Sequence, residues 1–224
     1  LEIRNQYTGI IVASTVLICW FTTLYFLLTW DFSWTNPLVY LLIFVQMHLY
    51  TGLFITAHDA MHGTISINKS LNNFFGSVAV FLYAGFFYST LFTKHHKHHK
   101  HVHTAEDPDY ANHGFWRWYL SFMLNYVNVI QLLIMAVAFN VLKIWVDQTN
   151  LLLFWVLPSL MSTFQLFYFG TYLPHKGEHD NEYQSSTIQK NHFVAFITCY
   201  FFGYHLEHHQ KPNMPWWQLH KTKS

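Results

Sequence analysis

The chain has 224 residues, of which 52% are hydrophobic, 20% aromatic and only 10% charged. A soluble domain carries about 25% charged residues, so most of this surface cannot face water, yet a mean hydropathy of +0.16 requires a polar part beside the apolar segments. The formal charge of +1 gives no footing for nucleic acid, and two cysteines, Cys19 and Cys199, exclude a disulfide framework, a cysteine zinc site and an iron–sulfur cluster; both lie in apolar runs and read as buried small hydrophobes.

Residues 9–30 are apolar apart from Ser and Thr and exceed the roughly 20 helical residues that cross a bilayer. This run lacks a small-residue cleavage site and reads as a span rather than a signal peptide. A polar turn at 31–36 precedes Pro37, and the second span, 37–57, runs straight into His58. Residues 74–92 form a third apolar run, 115–146 a long Trp- and Tyr-rich one, and 151–174 the last long one; 192–204 is apolar but too short to cross.

Charge selects among these runs. If 9–30, 37–57, 115–140 and 151–172 cross, eleven of the twelve Lys and Arg (Arg4, Lys69, Lys94, Lys97, Lys100, Arg117, Lys176, Lys190, Lys211, Lys221 and Lys223) share one side, and Lys143 alone takes the other. The positive-inside bias thus predicts four transmembrane helices with both ends in the cytoplasm. The segment near 74–92 then starts and ends on one side, as a re-entrant or interfacial element, with Gly76 and Gly85 as permitted bends. No repeat or linker divides the chain. It reads as a single all-α integral membrane domain, 1–224, with a cytoplasmic histidine-rich cap.

That cap holds most of the 17 histidines. His58-Asp59-Ala60-Met61-His62 places two imidazoles on one helix face. His95-His96-Lys97-His98-His99 and His205-Leu206-Glu207-His208-His209 share the form HxxHH. The spacing predicts that the first and fourth residues of each box face together and the fifth is displaced, so one box serves two adjacent metals. His175 ends the last span at the same membrane level. A lone HxxxH is weak, and 95–103 alone resembles a solvated tag; three clusters abutting membrane helices on one side point to a metal centre. The predicted ligands are His58, His62, His95, His98, His99, His175, His205, His208 and His209. Nine imidazoles exceed the six positions of an octahedral ion, so at least two metals are implied. A structural zinc needs four ligands, which favours redox iron, with zinc as a substituting ion. His96, His101 and His103 are assigned to outer or surface roles, His48 to packing or pocket lining, and His113, His179 and His220 to the surface; His192 stays open. Because metal-bound imidazoles donate their other N–H to carboxylates, Asp59, Asp107, Asp109 and Glu207 are the supporting candidates, while Glu106 reads as a surface turn.

Four stretches carry a resemblance: Leu49-Tyr50-Thr51-Gly52-Leu53-Phe54-Ile55-Thr56-Ala57 leading into His58 to Gly63; Lys94 to His99 with Asp107-Pro108-Asp109; Gln165-Leu166-Phe167-Tyr168-Phe169-Gly170-Thr171-Tyr172-Leu173-Pro174-His175; and Thr198-Cys199-Tyr200-Phe201-Phe202-Gly203-Tyr204 into His205 to His209, followed by Pro215-Trp216-Trp217. They run in order across most of the chain. The sequence resembles the membrane fatty-acid desaturase and hydroxylase superfamily and, within it, the bacterial and cyanobacterial β-carotene ketolases. The resemblance implies two iron ions, dioxygen as co-substrate, and conversion of the C4 methylene of a β-ionone ring to a ketone by two hydroxylations and loss of water, giving products of the echinenone and canthaxanthin type. It also implies an external electron donor such as a ferredoxin, and the nine histidines occupy the positions of the family's boxes.

No nucleotide-binding fingerprint or cysteine cluster is present, so electrons must come from outside, and the basic residues Lys94, Lys97, Lys100 and Lys211 are candidates to attract an acidic redox protein. Aromatic residues near 81–88, 115–119 and 164–169 are candidates to line a polyene slot. An acyl-lipid desaturase or hydroxylase would show the same metal boxes. A histidine-rich metal carrier is disfavoured, because its spans should hold polar groups along a path and His48 is the main one here.

Overall fold

The computed structural model describes residues 7–188 and 191–222; Arg4, Lys190 and Lys223 of the charge count lie outside them. The described residues are helical and form no strand. Three helices are long and apolar enough to cross a membrane: α1 (Thr8–Thr29), α2 (Leu38–Met61) and a third, Gln148–His175. Two further pairs are bent. α3 (Lys69–Ala84) meets α4 (Tyr88–Lys100) at 99°, and α5 (Phe115–Tyr126) meets α6 (Val129–Leu142) at 83°. Calling the third long helix α7, the chain closes with α8 (His192–Cys199), α9 (His205–Gln210) and a 3-10 turn, Trp216–Lys221. The fold thus holds three straight candidate spans, or up to five if each bent pair is one.

Local chemistry explains the breaks. The Asn68 side chain caps α3 by accepting from Leu71 N, and Gly85 ends it at φ 70°, a left-handed conformation glycine adopts without a Cβ clash. Gly76 is not a bend. It lies inside α3, where a Cβ would meet the Tyr88 ring at 2.4 Å, so its role is close packing. The long run at 115–146 is interrupted because Asn128 and Gln131 build a capping box that starts α6 anew.

α7 carries two π-helical stretches, Leu151–Val156 and Phe167–Tyr172. Each lies just ahead of a proline, Pro158 or Pro174, which has no N–H for the carbonyl four residues back. The helix widens instead, with Leu157 N–H reaching Leu152 O and Leu173 N–H reaching Tyr168 O. Such segments are rare and cluster at functional sites.

α2 is the central post. Thr51 Oγ1 lies 2.8 Å from Ser162 Oγ of α7 and also donates to Gln165 Oε1, whose amide donates to Thr198 O at 2.6 Å. Paired polar groups of this kind join α2, α7 and α8 where a membrane offers no water. The outer faces stay apolar and exposed, with Ile18 and Phe21 on α1 and Leu133 and Val137 on α6, as a lipid-facing surface requires. Cys199 is buried as expected, but Cys19 is exposed on this outer face.

Gly9 seats α1 against the loop after α2. A Cβ there would stand 2.3 Å from Ile65 O and 2.8 Å from Thr64 O, both backbone. Gly9→Ala is expected to destabilise the fold by about 1–3 kcal/mol through overpacking, read as a lower thermal midpoint in detergent.

Candidate metal centre

The ends of α2 and α7 meet α4 and α9, and all nine predicted ligands converge there. One group is His58, His62, His95, His99 and His208; the other is His98, His175, His205 and His209; within each, one ligand atom per residue lies within 4.8 Å of the rest. The groups touch, with the His99 and His209 rings 4.4 Å apart. Each HxxHH box does feed both groups, but the split differs from the one its spacing predicted. His95 pairs with His99 and His205 with His209, while His98 and His208 cross to the opposite groups. On a helix of 3.6 residues per turn, residue i+4 stands about 40° round the axis from residue i and i+3 about 60°, so the first and fifth positions share a face more closely.

The arrangement fits metal ions better than it fits hydrogen-bonded rings. Nε2 atoms approach at 2.6 Å (His62 and His95), 3.1 Å (His99 and His208), 2.9 Å (His175 and His205) and 3.0 Å (His205 and His209). Two nitrogens bound side by side to one ion at about 2.1 Å stand about 3 Å apart. Outer partners set the tautomers. His98 Nδ1 donates to Asp107 Oδ1 at 2.9 Å and His175 Nδ1 to Gln184 O at 2.8 Å, so both Nε2 lone pairs face the centre. Neither ring nitrogen of His58, nor Nδ1 of His205 or His209, has a hydrogen-bond partner among the described residues. For His58 this leaves a lone pair free for an ion, whereas Nδ1 of His205 and of His209 lies on the far side of each ring from the Nε2 that meets its neighbours.

Electrostatics agree. Burial, then the charge of His96, lowers His62 to about 3; burial, then the neighbouring imidazoles, lowers His99 to about 2 and holds His205, His208 and His209 far below the ordinary imidazole range. The rings are therefore neutral, with lone pairs available to a metal. His98 alone is raised: burial opposes its charge, but Asp109 and Asp107 outweigh burial.

The carboxylates divide. Asp107 is the principal support, accepting from His98, from Asp109 N at 2.9 Å and from His103 N at 3.0 Å. Asp109 stands 3.9 Å from His98 Nδ1 and accepts from the Tyr126 hydroxyl; burial pushes it up to about 6. Asp59 Oδ1 lies 3.5 Å from His58 Nδ1, and Oδ2 accepts from Trp216 N at 3.0 Å. Glu207 accepts from Thr187 at 2.8 Å, which ties a loop to α9. Glu106 is an exposed turn residue 3.8 Å from Lys97.

Of the remaining histidines, His103 is the informative one. Held at φ 64°, it donates from Nε2 to His175 O at 2.7 Å and so braces a ligand. His96 and His113 are exposed, and His101 is half-buried near Glu106. His179 and His220 are half-buried rather than fully exposed. His192 bonds the Tyr204 hydroxyl at 2.6 Å, and His48 stacks on Tyr200 at 4.3 Å. Tyr200 and Phe201, at φ 47° and 64°, turn the chain sharply into α9, and Gly52 makes room for the Tyr200 hydroxyl.

A cavity of about 420 Å³ opens from His58, His95, His98 and His205 and extends to Phe139, Trp155 and Leu160. Tyr83 and Phe86 line it as expected, and Phe54, Phe122, Tyr126 and Phe202 join them. Phe115, Tyr119 and Phe164 do not; they pack on one another and on Phe167 outside it. Nothing local in the sequence separates these two aromatic sets.

A fatty acid desaturase family model matches residues 32–146 and 125–224. The chain is 40% identical, over 98% of its length, to a zeaxanthin 4-ketolase of Chlamydomonas reinhardtii, and 42% identical, over 76%, to a β-carotene ketolase of Haematococcus lacustris. It spans 54% and 58% of those two proteins, little more than half their length. Against a β-carotene ketolase of Paracoccus sp. (strain PC1) it is 35% identical over 95% of its length and spans 90% of that protein. No solved structure matches. Histidine boxes gathered at one end of an apolar helical bundle, and these likenesses along nearly the whole chain, place it in one group: it belongs to the fatty acid desaturase family, together with these carotenoid ketolases.

Proposed function

We propose that the protein is a membrane carotenoid ketolase that converts the C4 methylene of a β-ionone ring to a ketone, using two iron ions held by the nine histidines. The observation that carries this reading is the apolar cavity that begins at the imidazoles and is walled by Tyr83, Phe86, Phe139 and Trp155. Aromatic faces suit a rigid polyene, and carotenoid ketolases are among the relatives. We take α1, α2, the α5–α6 pair and α7 as four spans and α3–α4 as re-entrant, with the metal end cytoplasmic; the excess of Lys and Arg at that end supports this.

Each hydroxylation consumes one dioxygen, two electrons and two protons, and releases one water. Two at one carbon give a geminal diol, which loses water to leave the ketone. Bound iron would supply the activation of dioxygen and the oxidising power for C–H cleavage. The chain's own groups do the rest. Asp107 and Gln184 O orient His98 and His175, and the cavity wall holds the ring carbon beside the imidazoles and excludes water.

The test is pigment chromatography from β-carotene-producing bacteria carrying the gene, beside cells without it. New 4-keto pigments support the reading. Unchanged carotenoids with new unsaturated or hydroxylated fatty acids would replace it with acyl-lipid chemistry. Protein from overexpression is expected to carry zinc in part and to gain turnover on refilling with ferrous iron; metal-free protein with full turnover would overturn the iron assignment.

A soluble acidic donor such as a ferredoxin would meet Lys97, Lys100 and Lys211, all exposed beside the histidine boxes. Reversing these three to Glu is expected to slow reduction about tenfold at low salt, with carotenoid affinity unchanged. Unaltered reduction kinetics would move docking elsewhere.

A further inference from the structure

We propose that the Thr171 hydroxyl binds the oxygen installed at C4 by the first hydroxylation and holds the resulting alcohol for the second, so that the enzyme delivers ketone rather than releasing alcohol. This rests on the ketolase reading and names a residue that determines its product.

The cavity wall is almost wholly apolar, and its other hydroxyl and amide groups are committed. Ser159 Oγ donates to Val156 O at 2.7 Å, Thr163 Oγ1 to Ser159 O at 3.0 Å, Gln131 Nε2 to Ala84 O at 2.8 Å, and the Tyr126 hydroxyl to Asp109. Thr171 also lines the cavity and is 5% exposed, but its hydroxyl makes no hydrogen bond among the described residues. It is not among the sealed unpaired atoms, so it opens into the cavity, where a polar group of a bound molecule can pair with it.

The helix itself shows why this threonine differs. Thr15, Thr22, Thr56, Thr163 and Thr198 each return their hydroxyl to the carbonyl four residues earlier, the usual fate of a helical threonine. Thr171 lies in the π-helical stretch Phe167–Tyr172, where the widened helix does not present that acceptor. The stretch exists because Pro174 follows it, and it places Thr171 four residues before His175.

Thr171 lies toward the metal end of the cavity wall, one turn before His175. Its neighbour Gly170 packs on Phe202, whose ring stands 4.7 Å from His58 and 5.5 Å from His205. An unoxidised β-ionone ring has no oxygen to offer Thr171. After one hydroxylation it has one, at the carbon that must react again. A hydrogen bond to it retains the alcohol and keeps the remaining C4–H directed at the imidazole groups.

The test uses the full chain in β-carotene-producing bacteria, with Thr171→Val, Thr171→Ala and Thr171→Ser. The ratio of 4-hydroxy to 4-keto rings is expected to rise about tenfold in the Val variant, the effect of one lost hydrogen bond. Ala should raise the ratio similarly, which covers poor accumulation of the Val protein, and Ser should restore it. A second readout needs no turnover: without reductant, purified Val protein should bind a 4-hydroxy carotenoid about tenfold more weakly than wild type and bind β-carotene equally well. An unchanged ratio, a parallel fall of both products, or equal weakening for both ligands overturns the proposal. Wild-type cells without any C4-oxidised pigment would instead overturn the ketolase reading, and this proposal with it.

Discussion

On the di-iron ketolase proposal, replacing His98 by alanine is expected to remove ketone formation almost entirely, by well over about a hundredfold, and to lower the bound metal from the proposed two ions per chain towards one. His98 belongs to the four-imidazole group, and its Nδ1–H is fixed by Asp107 Oδ1 at 2.9 Å. The substitution leaves three rings at that position and a buried carboxylate that has lost its imidazole partner. Outer partners of metal ligands contribute about 10–100-fold to affinity or activity, so loss of a ligand itself should exceed that range. Asp107→Asn is the graded control. The amide offers a donor where His103 N–H and Asp109 N–H need acceptors, and a 10–100-fold loss is expected. Elemental analysis beside turnover checks both. Full metal content and full turnover in the His98 variant would dismantle the two-group site.

Ser159→Trp is expected to lower ketone formation more than tenfold while leaving metal content unchanged. Ser159 lies in the cavity wall between Trp155 and Thr163 on α7, and its side chain is small. An indole there would occupy the space beyond the imidazoles that a polyene would need on the ketolase proposal, and Ser159 itself belongs to neither histidine group. The contrast is Phe164→Leu, at an aromatic residue outside that cavity that packs on Phe115 and Tyr119, where turnover should stay within about twofold. Normal turnover in the Ser159 variant would show that the substrate enters by another route. A loss of metal together with activity would show that the cavity wall and the metal groups are not separable.

Much of the centre was legible from residue order alone. Apolar runs of spanning length, each ending in His58 or His175, state that imidazoles are delivered to one end of a bundle, because a helix carries its terminal residues to a membrane surface. The skew of Lys and Arg pointed to the same end, and the boxes with their flanking Asp107-Pro108-Asp109 marked the family. These features depend on composition and on spacing within single elements, which the chain carries locally.

Other features arose only when the elements packed. The break at Val127–Asn128 sits inside an unbroken apolar run, and the 83° bend there reflects a capping box together with the packing of α6. The division of each HxxHH box depends on the rotation of α4 and α9 about their own axes, which neighbouring helices set. Glu207 and Asp107 looked alike as supports; only the loop geometry brings Asp107 to His98 and gives Glu207 to Thr187. His103 reaches the backbone of a ligand 72 positions away, and Thr171 is left without a helical acceptor by a proline three residues on. Periodicity determines which face of a helix a residue occupies, but not what that face meets, so the nine clustered histidines could be singled out from the sequence, while their grouping, their hydrogen-bond partners and the cavity they open on were decided by tertiary contacts.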